Sequence, residues 1–498
     1  MDKKLMMNCN SNNRIVTPLT LLSIGLLLAL PAQGAEQMVD LRVDLRVDHS
    51  IITPAMADNA VLLRERSLID NLSVNILESL TTEVGPRRIG TEGDKRVIAW
   101  SQAKFRELGF DRVWTEEVVL DRGWTRGAAS AEILSPYPHN IVMTALGYSV
   151  GTEGDLVGEL VEFSSLAELE AVPEGNSLAG KIVFISYSMS DFVPEPGQSP
   201  MAGYGEGTKA RGRGHVVAAK RGAAAIIIRS VGTDSNRYAH TGSGYGYVDD
   251  VKKIPAAAVS APDAILIQNM LRRGMPVTLK MNLTCEITGP EKSANIIGEI
   301  TGREGSDNYV VLGAHVDSWD EGTGAIDDGA GVAAMMAAAT LIGRMEQRPR
   351  RSIRVLLFAG EEVGFVGVRA YMEKHKNDVG EHILGAEVDG GGGRIHKLTS
   401  GVGERSVPIV HEMYKLIAPL GVAWSDSNDA GGASDISLLA NAGMPVLDFS
   451  QNSNDYFKYH HTPNDTFDKI IPEDMRYLTA AYATIFYMAA EMDVDFRD

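Results

Sequence analysis

Residues 308–371 read NYVVLGAHVDSWDEGTGAIDDGAGVAAMMAAATLIGRMEQRPRRSIRVLLFAGEEVGFVGVRAY, and this stretch indicates the fold class. Two apolar runs, 309–314 and 353–359, have the length and composition of buried strands. A helix of small residues follows the first run, so the order is strand, helix, strand. This order is typical of α/β proteins, in which helices cover both faces of a mainly parallel sheet. We therefore predict an α/β fold built around such a sheet.

Both apolar runs end in residues that are unusual in strands and well suited to chemistry. His315 and Asp317 follow the first run, and Glu361 and Glu362 follow the second. Neighbouring parallel strands open at their carboxyl ends into one crevice, where ligands bind. The nitrogen and oxygen donors of these side chains suit zinc and similar metals. The stretch thus predicts part of a metal site.

Other parts of the chain supply further candidate ligands. Asp327 lies just before the helix of small residues, Asp389 follows the apolar run 383–388, and His461 lies in the polar loop 456–468. The candidate set holds two imidazoles and three carboxylates: His315, Asp327, Glu362, Asp389 and His461. These are too many for one tetrahedral zinc, but they fit two metals if Asp327 bridges them.

Two further side chains are expected to support the metal ligands. Asp317 is expected to accept a hydrogen bond from the second ring nitrogen of His315, as carboxylates beside metal-bound histidines commonly do. We interpret Glu361 as the general base and Glu362 as the ligand, although residue chemistry alone leaves the reverse order open. His460 is not expected to bind metal. Each residue alone has an ordinary structural explanation, and their coincidence at successive strand ends favours the metal site.

The N-terminus has the features of a secretory signal peptide at residues 1–35. Its start is basic, its apolar run 19–30 is too short to span a bilayer comfortably, and small residues at 32–35 offer a cleavage site. A membrane anchor is the alternative. We expect a secreted or periplasmic protein that does not contact the membrane after cleavage. The tandem repeat 39–48, VDLRVDLRVD, reads as a leader to the first domain, with an edge strand as the alternative.

Composition sets broad limits on the class of protein. The chain has 498 residues, a length that favours more than one domain. Its apolar share of 44% and charged share of 22% are typical of a soluble globular protein. Its net charge of −18 argues against binding to nucleic acid or to an anionic membrane surface. The two cysteines are Cys9 and Cys285, and Cys9 lies in the predicted signal peptide. The mature chain therefore cannot form an internal disulfide.

A change in composition near Gly151 predicts an inserted domain. Residues 151–289 show short strands separated by glycine-rich loops, including the long loop 188–213, and no credible set of metal ligands. We assign this segment to a second domain. The flanking parts, 36–150 and 290–498, then form the main domain, and its second part carries the metal site.

Five motifs in order resemble the co-catalytic di-zinc exopeptidases, which include bacterial leucyl aminopeptidases and glutamate carboxypeptidases. The motifs are HVDS, IDDGAGVA, FAGEEVG, AEVDGGG and HHTPNDTFD, which begin at residues 315, 326, 358, 386 and 460. The resemblance implies two zinc ions per chain on the five candidate ligands, with Asp327 bridging. The resemblance also implies that Glu361 is the base, and it selects His461 by its spacing from Asp465-Thr466. It further implies a cis peptide bond between Asp327 and Asp328.

The inserted segment resembles a protease-associated domain through GKIVFI, AAKRGAAAIIIRS and KKIPAAAVSAPDA, which begin at residues 180, 218 and 252. With YHHTPNDTFDK, which begins at residue 459, the chain is most similar to the carboxypeptidase Q branch of the family. That resemblance implies a zinc-exopeptidase sheet flanked by helices, with a β-rich insertion that forms one wall of the cleft. It also implies a secreted homodimer.

The resemblance favours an exopeptidase that hydrolyses dipeptides or short peptides through a metal-bridged water activated by Glu361. An aminopeptidase that releases N-terminal residues is the main alternative. An amidohydrolase on a similar site and a non-catalytic peptide-binding protein are weaker alternatives. The intact set of ligands and the intact Glu361 argue against the last of these.

Overall fold

The computed structural model describes most of the chain. The described residues are 52–189, 202–244, 248–305, 307–452 and 455–498. The predicted signal peptide and the repeat 39–48 lie outside the described residues, as does the part 190–201 of the loop 188–213.

Helices and strands alternate through much of the described chain. The helices are α1 Pro54–Ile69, α2 Leu72–Ser79, α3 Glu92–Leu108, α4 Leu166–Glu170, α5 Ala202–Ala219, α6 Ala261–Arg272, α7 Ala330–Gly343, α8 Val366–Lys374, α9 Val407–Lys415, α10 Ile436–Asn441, α11 Tyr456–Tyr459 and α12 Pro472–Glu491. The strands are β1 Arg112–Leu120, β2 Gly123–Thr125, β3 Ala129–Ser135, β4 His139–Ile141, β5 Met143–Ala145, β6 Leu156–Phe163, β7 Ile182–Ile185, β8 Ala225–Arg229, β9 Ala256–Val259, β10 Thr278–Leu283, β11 Glu286–Thr288, β12 Glu291–Ile300, β13 Tyr309–His315, β14 Ser352–Phe358, β15 His382–Glu387, β16 Ile395–Gly401, β17 Ala423–Trp424 and β18 Val446–Gln451.

The first sheet carries the candidate site. Its strand order is β1-β12-β14-β13-β15-β18-β16-β17, and β14, β13, β15 and β18 form its parallel centre. The side chains of β13 alternate between two cores. Val310 and Leu312 face the core of α1, α2, α3, α7 and α12, whereas Tyr309 and Val311 face the core of α8 and α10. Helices therefore cover both faces of this sheet, as the sequence predicted.

Helix α7 is the central helix of the first core. Its residues are almost all buried, and small alanines let it lie close to β13 and α12. The stretch Ala325–Gly343 is apolar enough to cross a membrane by length and composition, but all of it is buried inside the protein. It is therefore a core helix.

A second sheet is built mainly from the segment predicted as an insertion. Its order is β4-β3-β10-β6-β7-β8-β9-β5, with α5 packed on one core and α6 on another. Strands β3, β4 and β5, from 129–145, belong to this sheet, although the sequence assigned them to the main domain. The composition change at residue 151 thus falls inside the second sheet.

A narrow ribbon joins the two sheets. Leu120 at the end of β1 pairs with Glu291 at the start of β12, and the next paired residues are Gly123 and Thr288 in β2 and β11. The chain therefore leaves the first sheet and returns to it through two adjacent antiparallel strands.

Some predicted helices have different bounds in the structure. The periodicity at 62–80 predicts one helix, but Asp70 accepts a hydrogen bond from the Leu72 backbone at 2.7 Å, and α1 ends there. The sequence also predicts a short helix at 216–221, and in the structure residues 216–219 are the end of the longer α5. Its glycines lower helix propensity, and tertiary packing overrides that signal.

Candidate metal centre

His315 is the last residue of β13 and is fully buried. Its Nδ1 lies 3.2 Å from the backbone oxygen of Asp317 and 3.7 Å from the Oδ1 of that residue. The Asp317 carboxylate also accepts hydrogen bonds from the backbone of Gly360 at 2.8 Å and of Glu361 at 3.3 Å. The hydrogen-bond acceptor of the His315 ring is thus the backbone oxygen of Asp317, whereas the sequence predicted its carboxylate. Asp317 still orients the ring and ties it to the loop after β14, which leaves His315 Nε2 to face the site.

Asp327 lies at the centre of the site, in the turn before α7. Its Oδ1 is 3.1 Å from His315 Nε2, and its Oδ2 is 3.2 Å from His461 Nε2. The peptide bond between Asp327 and Asp328 is cis, as predicted. Each carboxylate oxygen of Asp327 therefore faces a different imidazole, which is the arrangement that a bridging ligand requires.

Each imidazole also has a second carboxylate nearby. His315 Nε2 is 3.6 Å from Asp389 Oδ1, and His461 Nε2 is 2.9 Å from Glu362 Oε2. The structure therefore brings all five predicted ligands together in two groups that share Asp327. Asp389 and Glu362 reach this point from the loops that follow β15 and β14.

His460 lies beside His461, with ring centroids 3.5 Å apart. Its Nε2 is 3.6 Å from Asp327 Oδ2 and 3.3 Å from the Tyr204 hydroxyl. Among the described residues, the groups whose ligand atoms lie within 4.8 Å of one another are His315 with Asp327 and Asp389, and Asp327 with His460 and His461. His461 Nε2 lies closer to Asp327 Oδ2 than His460 Nε2 does, at 3.2 Å against 3.6 Å, and it also contacts Glu362 Oε2 at 2.9 Å. His461 therefore remains the better candidate.

Glu361 and Glu362 are adjacent but face different surroundings. Glu361 Oε1 accepts a hydrogen bond from the Ser434 hydroxyl at 2.8 Å. Glu362 Oε2 instead contacts His461, and its Oε1 is buried without a hydrogen-bond partner among the described residues. This difference favours Glu362 as the ligand and Glu361 as the proton acceptor.

The carboxylates strongly perturb one another. Burial raises the pKa of Glu361 to about 8, and the carboxylate of Asp327 adds to this rise. Burial also raises the pKa of Glu362 well above its usual range, with Asp327 and Glu361 as further causes. Burial alone would raise the pKa of Asp327, but hydrogen bonds from His315 and His461 hold it well below its usual value. Buried carboxylates that repel one another in this way are stabilised by bound cations.

These residues meet the requirements of a pair of divalent metal ions. The donors are nitrogen and oxygen atoms only, which suits zinc and its neighbours. Glu362 Oε1 is a buried polar atom without a hydrogen-bond partner among the described residues, a state that a bound cation would relieve.

The site opens into a cavity of about 300 Å³. The cavity is lined by Tyr204, Thr208, Arg211, Ser243, Asp327, Glu361, Glu362, Phe365, Asp389, Ser434, Tyr456, His460 and His461. The second sheet and its helices therefore supply part of the wall, through Tyr204, Arg211 and Ser243. Arg211 donates to the Tyr204 hydroxyl at 2.8 Å and lies 3.3 Å from His461 Nδ1.

The sequence did not identify two residues that hold the bridging turn. Arg87 is fully buried, and its guanidinium donates to the carbonyls of Val316, Thr323 and Gly324. Asp465 accepts hydrogen bonds from the backbone of Ile326 at 2.7 Å and of Asp327 at 3.2 Å. The loop GPRRIG, which begins at residue 85, contains two adjacent arginines, and this pair is the sequence feature that could have pointed to Arg87.

Comparisons with known proteins identify relatives of this chain. The sequence profile of peptidase family M28 matches residues 295–485. Carboxypeptidase Q of Mus musculus is 31% identical over 424 residues, which cover 85% of this chain and 86% of the mouse protein. A crystal structure of a peptidase M28 precursor from Shewanella amazonensis SB2B is 43% identical, with a TM-score of 0.85 over 89% of this chain and 98% of that chain. A zinc aminopeptidase from Bacillus subtilis is 18% identical and shares the fold, with a TM-score of 0.59 over 85% of this chain and 98% of its own.

Proposed function

Because the chain belongs to peptidase family M28 and is a metallo-exopeptidase, we propose that it hydrolyses dipeptides or short peptides at a pair of zinc ions. The proposed zinc ligands are His315, Asp327, Glu362, Asp389 and His461, with Asp327 shared between the ions. The observation that carries this proposal is the placement of the two Asp327 oxygens, each opposite a different imidazole.

Zinc content tests the metal part of the proposal. We expect two zinc ions per purified chain, and fewer in Asp327→Asn, because an amide supplies one neutral oxygen in place of two charged ones. A wild-type chain that binds one zinc or none at saturating metal would overturn the proposal.

Glu361 is assigned the proton transfers of the reaction. Its Oε1 is held by Ser434, so we assign Oε2 as the atom that takes a proton from the attacking water and delivers it to the leaving amine. When bound, the zinc ions would supply Lewis-acid chemistry, polarising the scissile carbonyl and lowering the pKa of water. Burial raises the pKa of Tyr456 well above its usual value, so this phenol stays protonated and can donate a hydrogen bond into the cavity.

The cavity favours a substrate with a free C-terminal carboxylate. Arg211 is the arginine that lines it, and a guanidinium binds a carboxylate with paired hydrogen bonds. Three of the four acids in the lining are proposed zinc ligands and the fourth is the proposed proton acceptor, so Arg211 is the remaining charged side chain of the wall. A carboxypeptidase or dipeptidase activity, in the manner of carboxypeptidase Q, therefore fits the wall better than an aminopeptidase activity does.

Peptides with one blocked end decide between these activities. We expect hydrolysis of Leu-Ala and N-acetyl-Leu-Ala, and loss of hydrolysis when the C-terminus of Leu-Ala is amidated. In Arg211→Gln the KM for Leu-Ala should rise, and the preference over the amidated peptide should fall. Cleavage of the amidated but not of the acetylated peptide would show that the N-terminus is read, as in an aminopeptidase.

Export and assembly are part of the proposal. The signal-peptide features at 1–35 support a secreted or periplasmic enzyme, and mass spectrometry of the exported protein should find an N-terminus near Ala35–Glu36. The resemblance to the carboxypeptidase Q branch supports a homodimer. Sedimentation equilibrium of the exported chain tests this, and a monomer at micromolar concentration would contradict it.

A further inference from the structure

One segment of the second domain holds the loop that carries His461. We call residues 230–241 the clamp segment and residues 456–462 the histidine loop. The backbone of Thr233 donates to the Phe457 carbonyl at 3.2 Å, and the Tyr238 hydroxyl donates to the Lys458 carbonyl at 2.9 Å. The clamp segment therefore engages the histidine loop along its length, before the loop reaches the metal site.

The contacts continue at the candidate ligand itself. The backbone of Thr241 donates to the His461 carbonyl at 2.9 Å, and the Thr241 carbonyl lies 3.3 Å from His461 Nδ1. The Arg211 guanidinium, 3.3 Å from the same nitrogen, cannot accept a hydrogen bond, so a protonated Nδ1 donates to the Thr241 carbonyl. This hydrogen bond fixes the ring and leaves Nε2 to face Asp327 and Glu362. The residue that orients this ligand therefore belongs to the second domain.

A buried pair of side chains supports this contact. His240 Nδ1 donates to the His460 carbonyl at 2.8 Å, and His240 Nε2 lies 2.5 Å from Asp234 Oδ2. The His240 side chain is fully buried, and that of Asp234 is only 4% exposed. An acceptor thus faces each nitrogen of the His240 ring, so the ring is locked between Asp234 and the histidine loop.

The backbone of His461 explains why such support is needed. Its φ is +60°, in the left-handed region that costs free energy for residues other than glycine. A conformation of this kind persists only where surrounding contacts fix it. The hydrogen bonds from His240 and Thr241 to the carbonyls of His460 and His461 are contacts of this kind.

We propose that Asp234 and His240 are positioning residues for the zinc ligand His461, and that they control occupancy of the zinc position flanked by His461 and Glu362. The other position, flanked by His315 and Asp389, takes its support from Asp317 and the first sheet. The second domain is then required to complete the metal centre, in addition to lining the cavity. The inference rests on the proposed two-zinc function.

The test measures zinc per chain and zinc affinity in full-length variants. His240→Phe keeps a ring but removes both hydrogen bonds, and we expect one tightly bound zinc and a second bound roughly 10- to 100-fold more weakly, the usual effect of losing an outer hydrogen-bond partner. His240→Asn places an amide nitrogen near the position of Nδ1 and should restore much of this affinity. His240→Gln places it near Nε2, so it keeps the contact to Asp234 but should not restore the affinity.

A matched control separates positioning from general stability. His375 forms a similar pair with Glu116 on the edge strand β1, with Nε2 3.0 Å from Oε1, away from the metal site. His375→Phe should lower thermal stability and leave both zinc affinities unchanged.

Each result bears on one hypothesis. Two zinc ions in the wild type and equal affinities in His240→Phe would overturn the positioning role while leaving the proposed function intact. Loss of both ions in His240→Phe, or no difference between His240→Asn and His240→Gln, would also overturn it. Fewer than two ions in the wild type would instead overturn the proposed function.

Discussion

At the scale of single residues, Glu361 and Glu362 show how neighbours in sequence come to face different partners. The Ser434 hydroxyl holds Glu361, and Glu362 contacts His461. Residue chemistry left their order open, the family resemblance implied Glu361 as the base, and the partners of each side chain in the folded chain favour the same order.

Paired glutamine variants test this difference. Glu361→Gln keeps size and removes the proton acceptor, so kcat should fall by about 10²- to 10⁴-fold while zinc content and KM change little. Glu362→Gln removes an anionic ligand and should lower zinc per chain. Zinc analysis and steady-state kinetics on both variants check the assignment. Loss of zinc in Glu361→Gln but not in Glu362→Gln would show that the two glutamates have the opposite roles.

A buried acid away from the site should make stability depend on pH. Burial alone would raise the pKa of Glu116, but hydrogen bonds from His375, Trp114 and Lys374 lower it to about 2. Because the pKa of Glu116 is lower in the folded chain than in the unfolded chain, its ionised carboxylate stabilises the folded protein above about pH 4.5. This contribution, about 1–3 kcal/mol after allowing for solvent screening, is lost as the pH falls from about 4.5 to 2.

Denaturant unfolding of Glu116→Gln, with metal removed by chelator, measures this effect. The variant should be less stable than the wild type at pH 7, and the difference should shrink as the pH approaches 2. A difference that is the same at pH 7 and pH 2.5 would show that Glu116 contributes through packing alone.

At the scale of elements, apolar runs located the strands that carry the site. Strands β13, β14 and β15 were evident because buried parallel strands are continuously apolar, and the ligands follow each of them directly. Ser434 lies 73 residues from Glu361 and Thr241 lies 220 residues from His461, so no local pattern revealed these partners. Asp465 lies in the same motif as His461, but its contact with Asp327 joins residues 138 apart in sequence, so the motif did not reveal that contact. The length of helix α5 was underestimated from the sequence, because packing on β8 stabilises the helix in spite of its glycines.

Two glycines in helices should respond in opposite ways to substitution by alanine. At Gly331, in α7, a Cβ would lie 2.3 Å from Asp328 Oδ2 and 2.6 Å from the Val388 carbonyl. Gly331→Ala should therefore destabilise the protein by roughly 1–3 kcal/mol and weaken zinc binding, because it displaces the turn that holds Asp327. At Gly205, in α5, a Cβ meets nothing within 4 Å.

Gly205→Ala is the matched control for helix propensity. It should stabilise the protein by up to about 1 kcal/mol without changing zinc affinity. Thermal unfolding and zinc titration of both variants check the pair. Equal effects on stability would show that contacts of the added methyl group do not matter at residue 331.

At the scale of the whole molecule, the ribbon of β2 and β11 defines the second domain better than composition does. Leu120 pairs directly with Glu291, so everything between them is inserted at one point of the first sheet. We propose 121–290 as the inserted domain in place of 151–289. The sequence missed this boundary because β3–β5 look like ordinary strands of either sheet, and only their pairing assigns them.

The ribbon also suggests how to remove the domain. Since β1 and β12 are antiparallel neighbours, replacing residues 121–290 with Asn-Gly should close them into a hairpin, the turn that this dipeptide favours. The first sheet should still fold, because its two cores are built on the remaining strands and helices. The deletion would expose Ile326, Tyr456 and Phe457, which pack on the second domain. Exposure of these apolar side chains would lower stability and solubility.

The zinc content of this deletion variant is the decisive measurement. If the second domain only lines the cavity, the variant should bind two zinc ions and show altered peptide preference. If the clamp segment positions His461, the variant should retain the zinc ion held by His315 and Asp389 and lose tight binding of the second zinc ion. Its kcat should then be reduced far more than in Arg211→Gln. Circular dichroism establishes that the sheet has formed, and a folded variant with two tightly bound zinc ions would show that the histidine loop holds its conformation without the second domain.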